Sequence, residues 1–153
     1  MKINFVTGDA TRPIGDGNKI IVHICNDVGG WGAGFVLAIS QRWKRPQKRY
    51  RELGKTGGYE LGTVDLVQVE GNIWVANMIA QQGIHWDHSI PPIRYPALED
   101  CLLQVAQHAK KLKASVHMPR IGCGLAGGKW DKVEEIVSRT LGDIPVTVYD
   151  LPH

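Results

Sequence analysis

The tightest constraint on this chain is the run Ile20-Ile21-Val22-His23-Ile24-Cys25, apolar at almost every consecutive position. A strand of that kind has no face to offer to water, so it belongs inside a sheet that is covered on both sides. It leads into Gly29-Gly30-Trp31-Gly32-Ala33-Gly34, and that segment runs straight into Phe35-Val36-Leu37-Ala38-Ile39, the start of a helix expected to continue to Trp43. Strand, glycine loop and helix in succession form the repeating unit of α/β domains.

The remaining pattern extends that unit. Residues 3–6 alternate as a strand, and residues 7–18 are rich in turn formers. Residues 46–55 suit a basic helix with Pro46 in its first turn. Residues 62–69 and 72–79 read as two strands joined at Glu70-Gly71. Residues 81–95 hold two histidines, a tryptophan and two prolines without periodicity, and read as a long loop. Residues 96–113 carry Leu98, Leu102, Val105, Ala109 and Leu112 as an amphipathic helix stripe. A strand at 115–118, a second glycine-rich loop at 120–128, a helix at 130–141 and a strand at 145–149 complete the chain. The expected fold is α/β, with three α/β/α layers, a mixed central sheet and a single domain over residues 1–153.

Composition excludes several classes. With 153 residues, 43% of them hydrophobic and a net charge of +3, the chain can bury a core and is not of disordered type. No apolar run approaches the roughly 20 residues of a membrane helix. Three cysteines without an export signal point to a reducing, cytoplasmic setting. The overall charge is too small to argue nucleic-acid binding. Basic residues cluster at 42–51, including Lys44, Arg45, Lys48 and Arg49, either as a solvated helix face or as an anion-steering patch.

Ligands of open α/β sheets bind beyond the carboxyl ends of the strands. Three segments leave strands there: Thr7-Gly8-Asp9-Ala10, residues 26–34, and residues 120–128. Both glycine loops precede helices, so their backbone N–H groups suit a phosphate or a diphosphate clamped from two sides. The first follows neither the dinucleotide nor the P-loop spacing, since Phe35 stands where a third glycine would be. Asp9 either accepts from an adenine amino group or forms an Asx-turn, and Asn26 either holds a ribose hydroxyl or closes its turn. His23 is a core histidine or a base. Cys25 and Cys123 have no base to activate them. His85 and His88 lack a third ligand, so no metal is expected. Trp86 either stacks on a base or anchors its loop.

Thr7-Gly8-Asp9-Ala10-Thr11, His23-Ile24-Cys25-Asn26 before Gly32-Ala33-Gly34, and Met118-Pro119-Arg120-Ile121-Gly122-Cys123-Gly124-Leu125-Ala126 together resemble the macrodomain family over nearly the whole chain. The last motif is similar to the branch holding terminal ADP-ribose glycohydrolases and the yeast-type ADP-ribose-1″-phosphate phosphatase. The resemblance implies a macrodomain fold and an ADP-ribose site. In it Gly8, Asp9 and Ala10 meet the adenine and Asn26 the distal ribose. Gly32, Ala33, Gly34 and Phe35 wrap one side of the diphosphate, and Gly122, Cys123, Gly124, Leu125 and Ala126 the other.

The departures redirect the chemistry. Gln81 stands where those glycohydrolases carry a nucleophilic lysine, and Ala126 where they carry an aspartate. Val36 stands where another hydrolytic branch carries its aspartate. Catalysis then falls to water held by the ligand's own phosphate and oriented by Gln81, Asn26 and His23. The expected activity is hydrolysis of mono-ADP-ribose esters on acidic side chains, without a cofactor. The alternatives are a non-catalytic reader of ADP-ribose and an ADP-ribose-1″-phosphate phosphatase. The expected partner is ADP-ribose or an ADP-ribosylated protein, with nucleic acid only as a modified substrate, no membrane, and a monomeric chain.

Overall fold

A computed structural model describes residues 3–152. Its elements are β1 (Ile3–Thr7), β2 (Lys19–Asn26), α1 (Phe35–Arg42), α2 (Arg45–Lys55), β3 (Val64–Glu70), β4 (Ile73–Gln81), α3 (Tyr95–Leu112), β5 (Ser115–Met118), α4 (Trp130–Leu141) and β6 (Val146–Asp150). The strands form one six-stranded sheet in the order β1-β6-β5-β2-β4-β3. All neighbours are parallel except β3, which returns antiparallel beside β4 at one edge.

Strand alternation divides β2 between two cores. Ile20 and Val22 join Leu98, Leu102 and Val105 of α3 and Val133 and Val137 of α4. Ile21 and Cys25 join Ile39 of α1 and Tyr50 of α2. This is the physical content of the unbroken apolar run: successive side chains point to opposite faces, and each face has its own helical layer. The fold is the expected three-layer α/β/α arrangement around a mixed sheet. Among the described residues no helix is long and apolar enough to cross a membrane.

The largest departure from expectation lies between β4 and α3. Residues 81–95 are not one free loop. Strand β4 runs on to Gln81, and α3 begins at Tyr95. The stretch between is folded back on itself by Gln82 N–H to Pro92 O at 2.8 Å and by reciprocal 2.9 Å bonds between Asp87 and Ile90. Its polar, proline-broken composition hid this short antiparallel excursion, because no hydrophobic period marks it.

On the side of the sheet opposite α3 and α4, His117 of β5 lies almost fully buried. Its Nδ1 is 2.7 Å from the Tyr149 hydroxyl, and its Nε2 is 2.7 Å from Ser115 Oγ. Ile14 N–H donates to the same Tyr149 oxygen at 2.9 Å, which ties the β1–β2 connection down over β5 and β6. The tyrosine proton is thereby free to go to Nδ1, and Nε2–H donates to Ser115. The ring is neutral in this arrangement. Burial, assisted by the nearby Lys19 charge, lowers its pKa to about 4.

A histidine that protonates near 4 when folded and near 6.5 when unfolded draws protons into the unfolded state between those values. The stabilisation is complete above pH 6.5 and is lost as pH falls toward 4. Urea unfolding should therefore show about 2 kcal/mol less stability at pH 5 than at pH 7 from this residue. His117→Gln should remove this residue's share of the slope, with the similarly buried His23 keeping its own, while lowering stability at neutral pH. An unchanged slope in the variant would assign the dependence elsewhere.

Candidate functional site

The sheet changes direction at β2. The chain places β4 on one side of it and β5 on the other, which opens a crevice at the carboxyl ends of these strands. A cleft of about 470 Å³ occupies that position. Its walls are the glycine loop after β2 (Asn26, Gly30, Gly32, Ala33, Gly34), the start of α1 (Phe35, Val36) and the loop after β5 (Gly122, Gly124, Leu125, Ala126). His23, Gln81, Ile84 and Arg120 also line it. The volume is in the range of small-molecule and cofactor sites.

The two loops present donors. Among the described residues the backbone N–H groups of Gly32, Ala33 and Gly34 bond no chain atom, nor do those of Gly122, Gly124, Leu125 and Ala126. The two loops approach at Gly34 and Leu125, where a Cβ on Gly34 would lie 3.8 Å from Leu125 Cδ1. Gly34 also caps α1 at φ +82°, a backbone conformation that suits glycine. The first N–H groups of α1 open toward the same space.

Asn26 shapes the first loop. Its Oδ1 accepts from Val28 N–H at 3.0 Å and from Gly30 N–H at 2.9 Å, and its Nδ2 donates to Gly30 O at 2.9 Å. The Tyr50 hydroxyl lies 2.5 Å from Asn26 O and 2.9 Å from Oδ1, and accepts from Gly29 N–H at 3.2 Å. Trp31 anchors the loop's other flank by Nε1–H to Ser40 Oγ at 2.7 Å. The amide of Asn26 thus closes its turn, with one Nδ2 hydrogen left over for a ligand.

His23 sits beneath this loop, with Trp31 edge-on at 5.4 Å between ring centroids. Asn77 donates to Pro46 O at 3.0 Å, which turns its Oδ1 toward His23 Nε2 at 2.6 Å. That fixes the tautomer: Nε2 carries the proton and Nδ1 is a bare lone pair, buried without a partner. Burial outweighs the Asn77 bond and lowers the His23 pKa to about 4. The ring is a neutral acceptor at neutral pH, not a charged acid.

Gln81 ends β4 on the cleft wall. Its Nε2 donates to Gly83 O at 3.0 Å, and its Oε1 makes no hydrogen bond among the described residues. Asp27 holds the next turn by accepting from Gly83 N–H at 2.8 Å. Ile93 N–H donates to Ala126 O at 3.1 Å and clips the 82–94 segment to the second loop. Trp86 of the same segment is half exposed, and an added Cβ on Gly127 would meet its Cζ2 at 2.5 Å. Trp86 anchors one loop on the other and does not line the cleft.

Gly8, Asp9, Ala10 and Cys123 are not part of the cleft wall. Asp9 Oδ1 accepts from Thr11 N–H at 2.8 Å and from its hydroxyl at 2.7 Å, an Asx-turn. Ala10 is buried, and Cys123 Sγ contacts Ile121 O at 3.4 Å. Burial raises the Cys123 thiol, and that of Cys25 more strongly, so neither is a ready thiolate. His85 and His88 belong to the exposed excursion, and among the described residues no three His, Cys, Asp or Glu side chains gather as metal ligands. Arg120 does line the cleft, but its guanidinium is paired at 2.9 Å to both oxygens of Asp150 and stacked between Phe5 and Trp130. Sequence reasoning missed Tyr50 and Asn77. The spacing of Pro46, Tyr50 and Leu53 marks the inner stripe of α2 and would have found the first; nothing local marks Asn77.

The chain is similar to known proteins throughout. The sequence model of the Macro domain family matches residues 22–137. A protein of unknown function from Bacteroides thetaiotaomicron, of solved structure, is 55% identical, with a TM-score of 0.96 and 99% of each chain covered. A macrodomain protein from Streptomyces coelicolor is 50% identical, with a TM-score of 0.87, covering 97% of this chain and 99% of its own. The mouse chromodomain-helicase-DNA-binding protein 1-like is 36% identical over 99% of this chain, which spans only 18% of that protein. More distant relatives include the ADP-ribose 1″-phosphate phosphatase of Candida albicans, 24% identical over 86% of this chain and 89% of its own. The DNA ADP-ribosyl glycohydrolase of Mycobacterium tuberculosis is 27% identical over 96% of this chain and 42% of its own.

Tyr50 is the strut of the first loop, and its removal should be measurable. Tyr50→Phe leaves Gly29 N–H without its partner and removes the hydroxyl donor to Asn26 O, at a cost of about 1–3 kcal/mol in urea unfolding. Amide exchange should rise at Gly29 and Gly30. Unaltered exchange there would mean that the loop holds its shape without α2.

Proposed function

The chain belongs to the Macro domain family, and from that premise we propose that its cleft binds ADP-ribose and hydrolyses the ester joining mono-ADP-ribose to acidic side chains. The observation that carries the binding half is the pair of loops with seven unpaired N–H groups on the walls of one cleft. A diphosphate satisfies such donors on both sides without needing a cationic side chain. The relatives named for ADP-ribose chemistry support the same ligand.

The cleft offers no lysine and no carboxylate, so the reaction uses neutral groups. Water attacks the anomeric carbon of the distal ribose, the bond from that carbon to the ester oxygen breaks, and the side chain leaves as a carboxylate. The proton of the attacking water passes to the ligand's phosphate or to solvent. Gln81 Oε1 is the acceptor on the cleft wall that orients the water. Asn26 sets the loop and offers its remaining Nδ2 hydrogen to the ribose. His23 keeps the floor neutral, its Nδ1 being closed to solvent as the site stands. A carboxylate is a good leaving group, and orientation alone supplies part of the roughly 7–11 kcal/mol that ideal positioning can provide. The glutamine at residue 81 and the alanine at 126 also favour a second reading, a binder of ADP-ribose without turnover.

Mass spectrometry of a glutamate-ADP-ribosylated protein separates the two. Incubation with the chain should release free ADP-ribose and restore the unmodified glutamate. No release, with ADP-ribose still bound, would replace the hydrolase by the binder. Gln81→Ala should lower turnover about tenfold or more with little change in affinity; a wild-type rate would remove Gln81 from the reaction. Gly32 has an ordinary φ and nothing within 4 Å of an added Cβ, so Gly32→Glu places charge in the cleft without straining the chain. Calorimetry should find ADP-ribose binding lost, and retained binding would overturn the diphosphate clamp.

A further inference from the structure

Charge is unevenly spread along this chain. Seven of its 18 basic side chains and one of its 15 acidic ones lie between Arg42 and Lys55. That stretch carries +6, and the remainder, with 11 basic against 14 acidic side chains, carries −3. The structure concentrates the excess further. Arg42 pairs with Glu70, Arg49 pairs with Asp65, and Arg45 donates to Gln68 O. Lys44, Lys48, Arg51 and Lys55 make no ion pair or side-chain hydrogen bond among the described residues, and all four are exposed.

These four recur at spacings of four, three and four residues, so they line one face of α2, opposite the buried stripe of Pro46 and Tyr50. Beside them runs a groove of about 780 Å³ whose lining holds four basic side chains, two acidic ones (Glu52 and the Asp65 that pairs with Arg49) and Leu53 as its one apolar side chain. Stability does not explain the pattern. Like charges four apart on a helix repel, and α2 has no acidic residue in its first turn to offset the cations there.

We propose that this face of α2 binds the phosphodiester backbone of a nucleic-acid strand, at a site separate from the cleft. A row of unpaired cations at regular steps of about 6 Å along a helix is the footprint of a partner whose charges are also regular and obligatory. An acidic protein segment would be expected to bring apolar anchors into pockets, and the groove has only Leu53 to receive one. Binding through phosphates alone is indifferent to base sequence and steep in salt.

The test is fluorescence anisotropy with a labelled single-stranded oligodeoxynucleotide carrying no ADP-ribose. Binding should weaken steeply between about 50 and 200 mM salt, with a log–log slope of about −3 for four phosphate contacts. The variant Lys44→Gln/Lys48→Gln/Arg51→Gln/Lys55→Gln should lose tenfold or more in affinity and most of the slope, while its thermal midpoint stays close to the parent's. No binding by the parent at low salt, or equal binding by the folded variant, would overturn the proposal. Displacement of the oligonucleotide by polyglutamate as readily as by unlabelled strand would overturn it in favour of an acidic protein partner. None of these readings depends on the cleft, so a failure of ADP-ribose binding leaves them standing.

Discussion

The hydrogen bonds that converge on Asn26 are what the cleft depends on. A strand ends there, a glycine loop begins, and a loop whose residues 29–34 are small at every position but Trp31 must hold open a space instead of collapsing into it. Asn26 Oδ1 gathers the Val28 and Gly30 N–H groups, and Tyr50 reaches across from α2 to the same residue. These bonds fix the start of the loop, and beyond it the N–H groups of Gly32, Ala33 and Gly34 bond no chain atom among the described residues. Ordering the loop in advance means that binding does not have to do so.

The second loop reaches the same state by different means. It lacks an Asn26 of its own. Ile93 holds it through Ala126 O, and Trp86 packs against Gly127. The excursion after β4 is thus a brace between the two halves of the site, touching the first loop through Asp27 and Gly83 and the second through Ile93. Loops held at both ends by main-chain bonds keep their geometry better than their glycine content suggests.

The layers, the mixed sheet and the two glycine loops could be read from the chain because they follow from periodicity and from glycine next to strand ends. Ile20 to Ile24 could only be a covered strand, and the alternation around it left one architecture. What escaped was of another kind. The excursion at 82–94 has no period, since its bonds are main-chain to main-chain over proline-rich sequence. Asn77 does nothing that its neighbours in β4 announce; only pairing with His23 across the sheet gives it a role. Asp9 Oδ1 makes the turn bonds to Thr11, a role its position after β1 left open beside an adenine contact. Such roles belong to tertiary contacts, and one strand's pattern does not contain them.

The cleft and the cationic face of α2 also differ in the physics they use. The cleft binds with fixed dipoles: its one charged wall residue, Arg120, is already committed to Asp150 and to two rings. Neutral donors on a rigid loop give a binding energy that salt screens little, and their geometry selects a shape. The outer face of α2 offers the reverse, exposed basic side chains without an ion pair among the described residues, which select charge and respond to salt. One helix carries both. Its inner side fixes the loop through Tyr50, and its outer side holds the unpaired cations, so a partner docked outside leaves the bonds that shape the cleft untouched.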